Sequence, residues 1–316
     1  MEYVWITLAV LAGLLLIALL GIAWVLSGIV VHPKNHTRAE CIAYDEANGV
    51  EGLKAYGRDI RTEPFSFMSK AARVEIKGMY IDRVEGRSFS DGRRRVIVLV
   101  HGYTSTLCGM MKYVEDYRRL GFDAVLYDQP NHGESGRRPT TMGFVERHVV
   151  SEVIDLAKKR YGEDAVIGTH GESMGAATVM LHAAIDERIS FAVEDCGYSN
   201  LADQLAFNMK HVYHLPRFPL LAMASFFSRL RGGILFSQVK PGEAVKKIPE
   251  SLPMLFIHGT ADDFVPSAMV FETFEAKQGK KELLCYPGAS HALSKNRHRE
   301  AYGENLARFL RKYEII

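Results

Sequence analysis

The chain has 316 residues, enough for one large domain with a sizeable core in addition to a terminal segment. Its formal net charge of +2 gives no basis for predicting a nucleic-acid partner. The four cysteines lack Cys-x-x-Cys spacing, no His/Cys group has metal-ligand spacing, and no glycine-rich phosphate loop occurs. We therefore predict one globular domain that needs neither a metal nor a cofactor.

The first predicted element is a membrane-spanning helix within residues 1–31. Tyr3–Val31 contains no charged residue, and about 20 apolar residues are enough to cross a bilayer. Trp5 and Trp24 would lie about 28 Å apart along this helix, close to the hydrocarbon thickness, as expected for residues at the two interfaces. The alternative is a cleaved signal peptide, but such a peptide has a basic first region and a shorter apolar core. We expect an uncleaved single-pass anchor in contact with the lipid bilayer.

The charges beside this span bear on its orientation. Lys34 and Arg38 follow the span, and no basic residue precedes it. By the positive-inside rule, this asymmetry favours a cytoplasmic position for the domain. Two charges do not decide the matter, so the sequence predicts a membrane protein and leaves the side of the domain open.

The remaining chain is predicted to be a connector, residues 32–63, followed by an α/β domain, residues 64–316. Two opening strands, Pro64–Ser69 and Val74–Ile81, are expected to form an antiparallel edge. From Arg95 strands and helices alternate, which indicates a mostly parallel sheet with helices on both faces. These elements are expected at 95–101, 110–120, 123–128, 143–161, 165–169, 176–184 and 189–194, before two late strands beginning at Met254 and Lys281.

The most informative motif is Gly171–Gly175, which fits Gly-x-Ser-x-Gly with Ser173 at its centre. This pattern is typical of a nucleophile elbow, a tight strand-to-helix turn whose glycines are needed because no Cβ fits there. A short apolar strand, Ala165–Thr169, precedes the motif, and a helix of small residues, Ala176–Ala184, follows it. Ser173 is therefore the predicted nucleophile.

A serine hydroxyl is a weak nucleophile and needs an adjacent base. In the chain order Ser, then acid, then His that accompanies this elbow, the histidine follows the last strand, where His291 stands. The rival base is His298, but it lies in a charged segment that we expect to be solvated. We predict His291 as the base.

The base needs an acid to orient it, and the strand that begins at Met254 runs into a loop with Asp262. We predict Asp262 as the acid, and the alternatives are the adjacent Asp263 and Asp195, which follows the preceding strand. His258 is interpreted as a support for the acid loop. Glu172, beside the nucleophile, is interpreted as structural or as a carboxylate at the rim of a pocket.

Stabilising a tetrahedral oxyanion requires two backbone N–H groups. One should come from Met174, the residue after the nucleophile. The other should come from the loop after an early strand. Arg95–Val100 is an apolar run typical of a strand buried on both faces, and His101-Gly102-Tyr103 follows it. We assign the second amide to Tyr103.

Taken together, these motifs resemble a serine hydrolase of the alpha/beta-hydrolase superfamily, in the branch of membrane-anchored bacterial hydrolases related to small esterases and serine aminopeptidases. The resemblance covers about residues 60–316 and implies the alpha/beta-hydrolase fold. One departure is Asp128-Gln129-Pro130-Asn131, where relatives usually carry an arginine and a glycine, which puts local packing in question. The matching positions are His101-Gly102, His132-Gly133-Glu134-Ser135, Gly171–Gly175, Gly259-x-x-Asp262-x-x-Val265-Pro266 and His291.

The alternation of strands and helices stops at about residues 199–251, where this superfamily places its lid. The segment is aromatic and basic, which favours a small helical lid over Ser173 that shapes an acyl or aromatic pocket. Its surface would also suit anionic lipid. The alternative is that the aromatic residues pack inward and the basic ones are only solvated. The aromatic residues are Phe207, Tyr213, Phe218, Phe226, Phe227 and Phe236.

The predicted function is a membrane-anchored hydrolase that cleaves a small-molecule carboxylic ester or acyl substrate by a Ser-His-Asp triad. A peptidase or amidase, or a lysophospholipase or thioesterase, would use the same residues. From another class, a catalytically silent domain tethered to the membrane is the remaining alternative. The sequence does not identify the acyl chain, the leaving group or the oligomeric state.

Overall fold

Eight strands form one sheet in the computed structural model of the protein, which describes residues 1–50 and 60–316. The strands are β1 (Thr62–Met68), β2 (Glu75–Ile81), β3 (Arg95–Val100), β4 (Phe122–Tyr127), β5 (Val166–Glu172), β6 (Ile189–Asp195), β7 (Met254–Gly259) and β8 (Lys281–Tyr286). Their order across the sheet is β1-β2-β4-β3-β5-β6-β7-β8. β2 pairs antiparallel with β1 and β4, and the other neighbours are parallel. The predicted mostly parallel sheet with an antiparallel edge is confirmed.

Helices cover both faces of this sheet. They are α1 (Glu2–Val31), α2 (Arg38–Ala47), α3 (Met111–Arg119), α4 (Glu146–Tyr161), α5 (Met174–Ala183), α6 (Leu201–His211), α7 (Leu220–Gly232), α8 (Pro241–Ala244), α9 (Ala268–Ala276), α10 (Ser294–Arg297) and α11 (Arg299–Lys312). The predicted α/β-hydrolase fold is therefore confirmed. The segment between β6 and β7, where we expect a lid, contains α6, α7 and α8.

The central strand β3 is buried on both faces, as its continuous apolar sequence predicts. Val96, Val98 and Val100 face the core that α4 and α5 cover. Ile97 and Leu99 face the opposite core, which α3 and α11 cover. Successive side chains of a strand point to opposite faces, so a strand between two helical layers needs apolar residues at every position. The carboxyl ends of β3, β5, β7 and β8 meet at one edge of the sheet, where the candidate site is found.

The predicted connector contains a helix that the sequence analysis did not identify. Thr37 caps the start of α2: its hydroxyl accepts a hydrogen bond from the Glu40 amide, and the Glu40 carboxylate accepts one from the Thr37 amide. This Thr-x-x-Glu pattern was the available signal. The strand β1 begins at Thr62, inside the predicted connector. Residues 51–59 of that connector lie outside the described residues.

Helix α1 is long and apolar enough to cross a membrane, and it is a candidate transmembrane span. Its residues 2–18 are exposed, whereas Ala23, Ser27 and Val31 are buried against the domain at helical spacing. The buried end lies along α7, and the Trp24 ring meets Phe227 edge-on at 5.4 Å between ring centroids. The α1 backbone also accepts a hydrogen bond of 2.9 Å at the Val31 carbonyl from the Thr140 amide. The end of α1 is thus part of the folded domain.

This packing predicts an asymmetry between two valines of α1. Val31 is fully buried and Val25 is exposed. Val31→Ala should lower the free energy of unfolding by about 1–2 kcal/mol, because each buried methyl-sized group contributes roughly 0.8 kcal/mol. Val25→Ala should change it by less than about 0.5 kcal/mol. Chemical denaturation of the full-length protein in detergent micelles measures both values, and equal losses would contradict the packing described here.

Candidate active site

Ser173 lies in the sharp turn between β5 and α5. Its backbone φ is 56°, a left-handed conformation that costs energy for a residue with a side chain, and its amide donates to the Asp195 carbonyl at 2.8 Å. A Cβ on Gly171 would lie 2.1 Å from the Gly175 carbonyl oxygen, and one on Gly175 would lie 1.9 Å from the Val100 carbonyl oxygen. The two glycines of the motif are therefore required by the close approach of three backbone segments.

A continuous chain of hydrogen bonds joins the three residues predicted as nucleophile, base and acid. Ser173 Oγ is 2.9 Å from His291 Nε2, and His291 Nδ1 is 2.7 Å from Asp262 Oδ2. With Asp262 as acceptor, Nδ1 carries the proton and Nε2 is free to accept the serine proton. This arrangement allows the imidazole to act as a base toward Ser173.

Asp262 is held in place from two directions. Its side chain is buried, and its Oδ1 accepts hydrogen bonds from the amides of Phe264 at 3.0 Å and Val265 at 2.8 Å. Burial alone would raise the pKa of Asp262, but hydrogen bonds from His258 and His291 outweigh it and hold that pKa well below the usual range. The carboxylate therefore remains charged beside the imidazole at neutral pH.

His258 supports the acid loop, in line with its interpretation from the sequence. Its Nε2 lies 2.9 Å from the Val265 carbonyl oxygen and 3.3 Å from Asp262 Oδ2. Burial alone lowers the pKa of His258, but the hydrogen bond to Asp262 and the charge of Asp262 outweigh it and raise that pKa. His258 thus adds a partner for the same carboxylate oxygen that His291 contacts.

The structure does not bring the alternative acids or the alternative base to Ser173. Asp263 is exposed, and Asp195 Oδ2 accepts hydrogen bonds from the hydroxyls of Tyr302 at 2.9 Å and Tyr113 at 3.2 Å. Burial raises the pKa of Asp195 to about 6. His298 is directed to the Pro287 carbonyl oxygen at 2.8 Å. Among the alternatives, Asp195 contacts Ser173 only through its backbone.

The two amides predicted to stabilise an oxyanion lie next to the serine. Met174 is buried as the first residue of α5, and a Cβ on Gly102 would lie 3.3 Å from Ser173 Cβ, which brings the Tyr103 loop against the serine. Within residues 1–50 and 60–316, neither the Met174 nor the Tyr103 amide donates to another protein atom. Unpaired N–H groups beside a nucleophile are available to a developing negative charge.

The segment that departs from the family pattern holds the Tyr103 loop. The Gln129 amide donates to His101 Nε2 at 2.8 Å, and the Gln129 side-chain amide donates to the His101 carbonyl oxygen at 2.5 Å. Burial lowers the pKa of His101 to about 3, so its ring stays neutral and can accept this hydrogen bond. The departure is therefore accommodated by contacts that fix the backbone before Tyr103.

A buried group of charges below the serine was missed by the sequence analysis. Lys112 Nζ lies 2.6 Å from Glu172 Oε2 and 3.8 Å from Asp45 Oδ1, and it donates to the Ala292 carbonyl oxygen at 2.9 Å. The ammonium group thus connects α2, the residue before the nucleophile and the residue after His291. A lysine between Met111 and Tyr113 on the apolar face of α3 was the available signal.

Two cavities meet at Ser173. The apolar pocket has about 860 Å³ of empty space, part of it open to solvent, and lies between Ser173 and the helices α1, α6 and α7. The second cavity, here called the polar groove for its charged and hydroxyl side chains although apolar atoms form most of its lining, has about 1250 Å³ of empty space, part of it open to solvent. It extends from Ser173 and His291 along α2. The apolar side chains of the pocket include Leu26, Ile29, Val30, Met142, Leu205, Met209 and Leu221. The polar side chains of the groove include His36, Glu40, Asp45, Ser105, Lys112 and Glu172.

One group of side chains among the described residues has the proximity that a metal ion requires: Cys196, Asp262 and His291. Two of its members already belong to the hydrogen-bonded chain at Ser173. Burial raises the pKa of the Cys196 thiol well above its usual value, which disfavours the thiolate that a metal would need. The donor set does not fit a metal site.

Comparison with known proteins places this geometry in context. Residues 97–303 match the family described as the alpha/beta hydrolase family. The chain is also 31% identical over 300 residues to the uncharacterized protein YqkD of Bacillus subtilis (strain 168), an alignment that covers 94% of this chain and 95% of that protein.

Two solved structures share the fold. An esterase from Pyrococcus furiosus is 24% identical with a TM-score of 0.66, and the match covers 84% of this chain and 95% of that one. Est1E from Butyrivibrio proteoclasticus, solved with ferulic acid bound, is 17% identical with a TM-score of 0.64. That match covers 80% of this chain and 100% of the Est1E chain.

A buried carboxyl group on β6 predicts how stability depends on pH. Glu194 is fully buried, and burial raises its pKa to about 8, opposed by the charge of His258 and a hydrogen bond from the Gly197 amide. The folded state therefore keeps this proton at pH values at which the unfolded chain has lost it. The stability that Glu194 contributes should fall as pH rises from about 4.5 to about 8.

Glu194→Gln should remove this component of the pH dependence. Between about pH 6 and pH 8, the variant should gain stability relative to wild type, by up to about 1.4 kcal/mol per pH unit. The control is Glu187→Gln, since Glu187 is exposed. Denaturant unfolding at several pH values measures the difference, and parallel curves for wild type and Glu194→Gln would contradict the raised pKa.

Proposed function

The chain belongs to the alpha/beta hydrolase family, and on this basis we propose that it is a membrane-anchored serine hydrolase that cleaves carboxylic esters. The observation that carries the proposal is the hydrogen-bonded chain from Ser173 through His291 to Asp262, beside two unpaired amides. Family membership supports hydrolysis. The local geometry supports the role of each residue.

In the proposed reaction, Ser173 Oγ attacks the acyl carbonyl carbon while His291 Nε2 takes the hydroxyl proton. The amides of Tyr103 and Met174 donate to the tetrahedral oxyanion. His291 then gives its proton to the leaving alcohol, and the acyl group remains on Ser173. A water molecule deprotonated by His291 attacks this acyl-enzyme and releases the acid. Each step uses side chains that already lie within hydrogen-bond distance.

Asp262 contributes electrostatically without transferring a proton. When His291 becomes an imidazolium, the carboxylate at 2.7 Å stabilises the positive charge in a buried setting. The lowered pKa of Asp262 keeps its carboxylate ionised near neutral pH. His258 and the amides of Phe264 and Val265 hold the carboxylate at the angle that this function requires.

The two cavities support an ester substrate with an apolar acyl part and a polar leaving group. Such a substrate would place its acyl chain in the apolar pocket and its alcohol in the polar groove, with the carbonyl carbon at Ser173 between them. The helices α6 and α7 would form the lid over the apolar pocket. No cofactor is needed for this chemistry.

The packing of α1 supports an uncleaved anchor. Signal-peptide cleavage after the apolar run would remove Ala23, Ser27 and Val31 from the positions that they fill in the domain. It would also remove the Ile29 carbonyl oxygen, which accepts a hydrogen bond from the Tyr103 hydroxyl. We propose that α1 is retained and that the basic residues after it hold the domain on the cytoplasmic side.

Substitutions in full-length protein, purified in detergent micelles, test the catalytic assignment. Ser173→Ala and His291→Ala should each lower kcat/KM for p-nitrophenyl acetate by roughly 10⁴-fold or more, since the members of such a unit act together. Asp262→Asn should lower it by roughly 10³-fold or more. A fluorophosphonate probe should label wild type and fail to label Ser173→Ala.

The matched controls are Asp263→Asn, which changes the exposed neighbour of the proposed acid, and His298→Ala, which changes the rival base. Both should keep kcat/KM within about twofold of wild type. Labelling of Ser173 without ester turnover would move the assignment to an amidase or peptidase. A wild-type chain that is neither labelled nor active would point to the silent tethered domain.

A further inference from the structure

The end of the anchor helix forms a wall of the apolar pocket. Leu26, Ile29 and Val30 line the same cavity as Ser173. The Tyr103 hydroxyl donates to the Ile29 carbonyl oxygen, so the residue whose amide we propose as an oxyanion donor also contacts the anchor helix. An acyl chain in this pocket would lie directly against α1. The anchor therefore does more than tether the domain.

The position of these residues along α1 fixes their depth relative to a bilayer. Tyr3–Trp24 spans about 32 Å at 1.5 Å per residue, which matches a hydrocarbon core of about 30 Å. Val30 follows Trp24 by only six residues, or about 9 Å. With Trp24 at the interface, the pocket wall lies at the level of the lipid headgroups.

The mouth of the apolar pocket is itself apolar. Ile29, Val212 and Tyr213 line the pocket and are nevertheless 43%, 51% and 47% exposed, so they mark where it opens. Two further apolar side chains of the proposed lid, Phe218 and Phe226, are 82% and 57% exposed. Exposed apolar side chains beside a transmembrane helix are suited to contact with acyl chains of the bilayer.

The polar groove restricts the leaving group. Three carboxylates line it, those of Glu40, Asp45 and Glu172. Among its described lining residues, Lys112 is the one lysine or arginine, and it is buried and paired with Glu172 at 2.6 Å. A negatively charged alcohol would be repelled by these carboxylates, whereas a neutral polyol would find hydrogen-bond partners.

We propose that the substrate is a single-chain long acyl ester of an uncharged polar alcohol, which enters from the bilayer along α1. Its acyl chain lies between the end of α1 and the helices α6 and α7, and its alcohol lies in the polar groove. This inference rests on the proposed ester hydrolysis and adds the substrate class, the route of entry and a role for α1 in specificity.

The first test narrows the pocket at α1. The full-length protein is placed in phosphatidylcholine nanodiscs, and kcat/KM is measured for p-nitrophenyl palmitate and for p-nitrophenyl acetate. Leu26→Trp should lower the palmitate-to-acetate ratio by about tenfold or more, because the larger ring fills the space of the acyl chain. Val25→Trp, one residue earlier on the exposed face, should leave the ratio unchanged. Ile29→Trp is the second variant, at a more exposed position where folding is less affected.

The second test locates the acyl chain directly. A fluorophosphonate with a long alkyl chain and a terminal diazirine would react with Ser173, and illumination should crosslink its end to α1, α6 or α7. Crosslinks confined to α2 and the polar groove would overturn the proposed placement. An unchanged palmitate-to-acetate ratio in both Leu26→Trp and Ile29→Trp would also overturn it.

The third test concerns the source and the alcohol of the substrate. Hydrolysis of 1-palmitoylglycerol should follow its mole fraction in phosphatidylcholine vesicles, and 1-palmitoylglycerol 3-phosphate should be hydrolysed at least about tenfold more slowly. Rates that follow the total concentration of 1-palmitoylglycerol in solution, and not its mole fraction in the vesicles, would overturn the inference. A preference for 1-palmitoylglycerol 3-phosphate would overturn it as well. If only the inference is wrong, the protein should still hydrolyse p-nitrophenyl acetate in a reaction that requires Ser173. If it does not hydrolyse this acetate, the proposed function on which the inference rests is itself refuted.

Discussion

The contact between the first turn of α5 and the carboxyl end of β3 is the constraint on which the site depends. The Gly175 backbone approaches the Val100 carbonyl oxygen so closely that a Cβ would lie 1.9 Å from it. This approach turns the chain sharply at Ser173, whose φ of 56° is kept by the hydrogen bond from its amide to Asp195. It also sets Gly102 against the serine. The strain is local, and the core on both faces of β3 stabilises it.

A second constraint is the balance of buried charge around that turn. Lys112 is buried between Glu172 and Asp45, and removing one partner of such a group leaves an uncompensated charge in a medium of low polarity. The same ammonium group donates to the Ala292 carbonyl oxygen, directly after His291. The position of the imidazole is thereby coupled to α2, which is distant in sequence. We expect this network to specify one arrangement of the loops more than it stabilises the fold.

Local patterns in the sequence predicted the parts of the structure that local physics determines. The strand before Ser173, the helix after it and the alternating layers around β3 follow from apolar periodicity and from glycines at fixed positions. The order of Asp262 and His291 was expected from the motif, and the structure brings both to Ser173. Contacts between segments that are distant in the sequence could not be predicted from local sequence patterns. The pairing of Lys112 with Asp45 joins residues on separate helices, and neither residue has a local pattern that indicates its partner.

The largest difference between the sequence analysis and the structure concerns the anchor. Apolar periodicity separates residues 1–31 from the domain, because a helix that is apolar on all sides has no face to indicate contact with protein. In the structure, the small side chains of Ala23 and Ser27 allow α1 to lie close along α7, and Val31 belongs to the same buried cluster as side chains of α6 and α7. Helices α1 and α7 are therefore one packed unit. Any movement of α7 that widens the apolar pocket must therefore also shift α1 or break the contacts of Trp24 with Phe227 and Arg231.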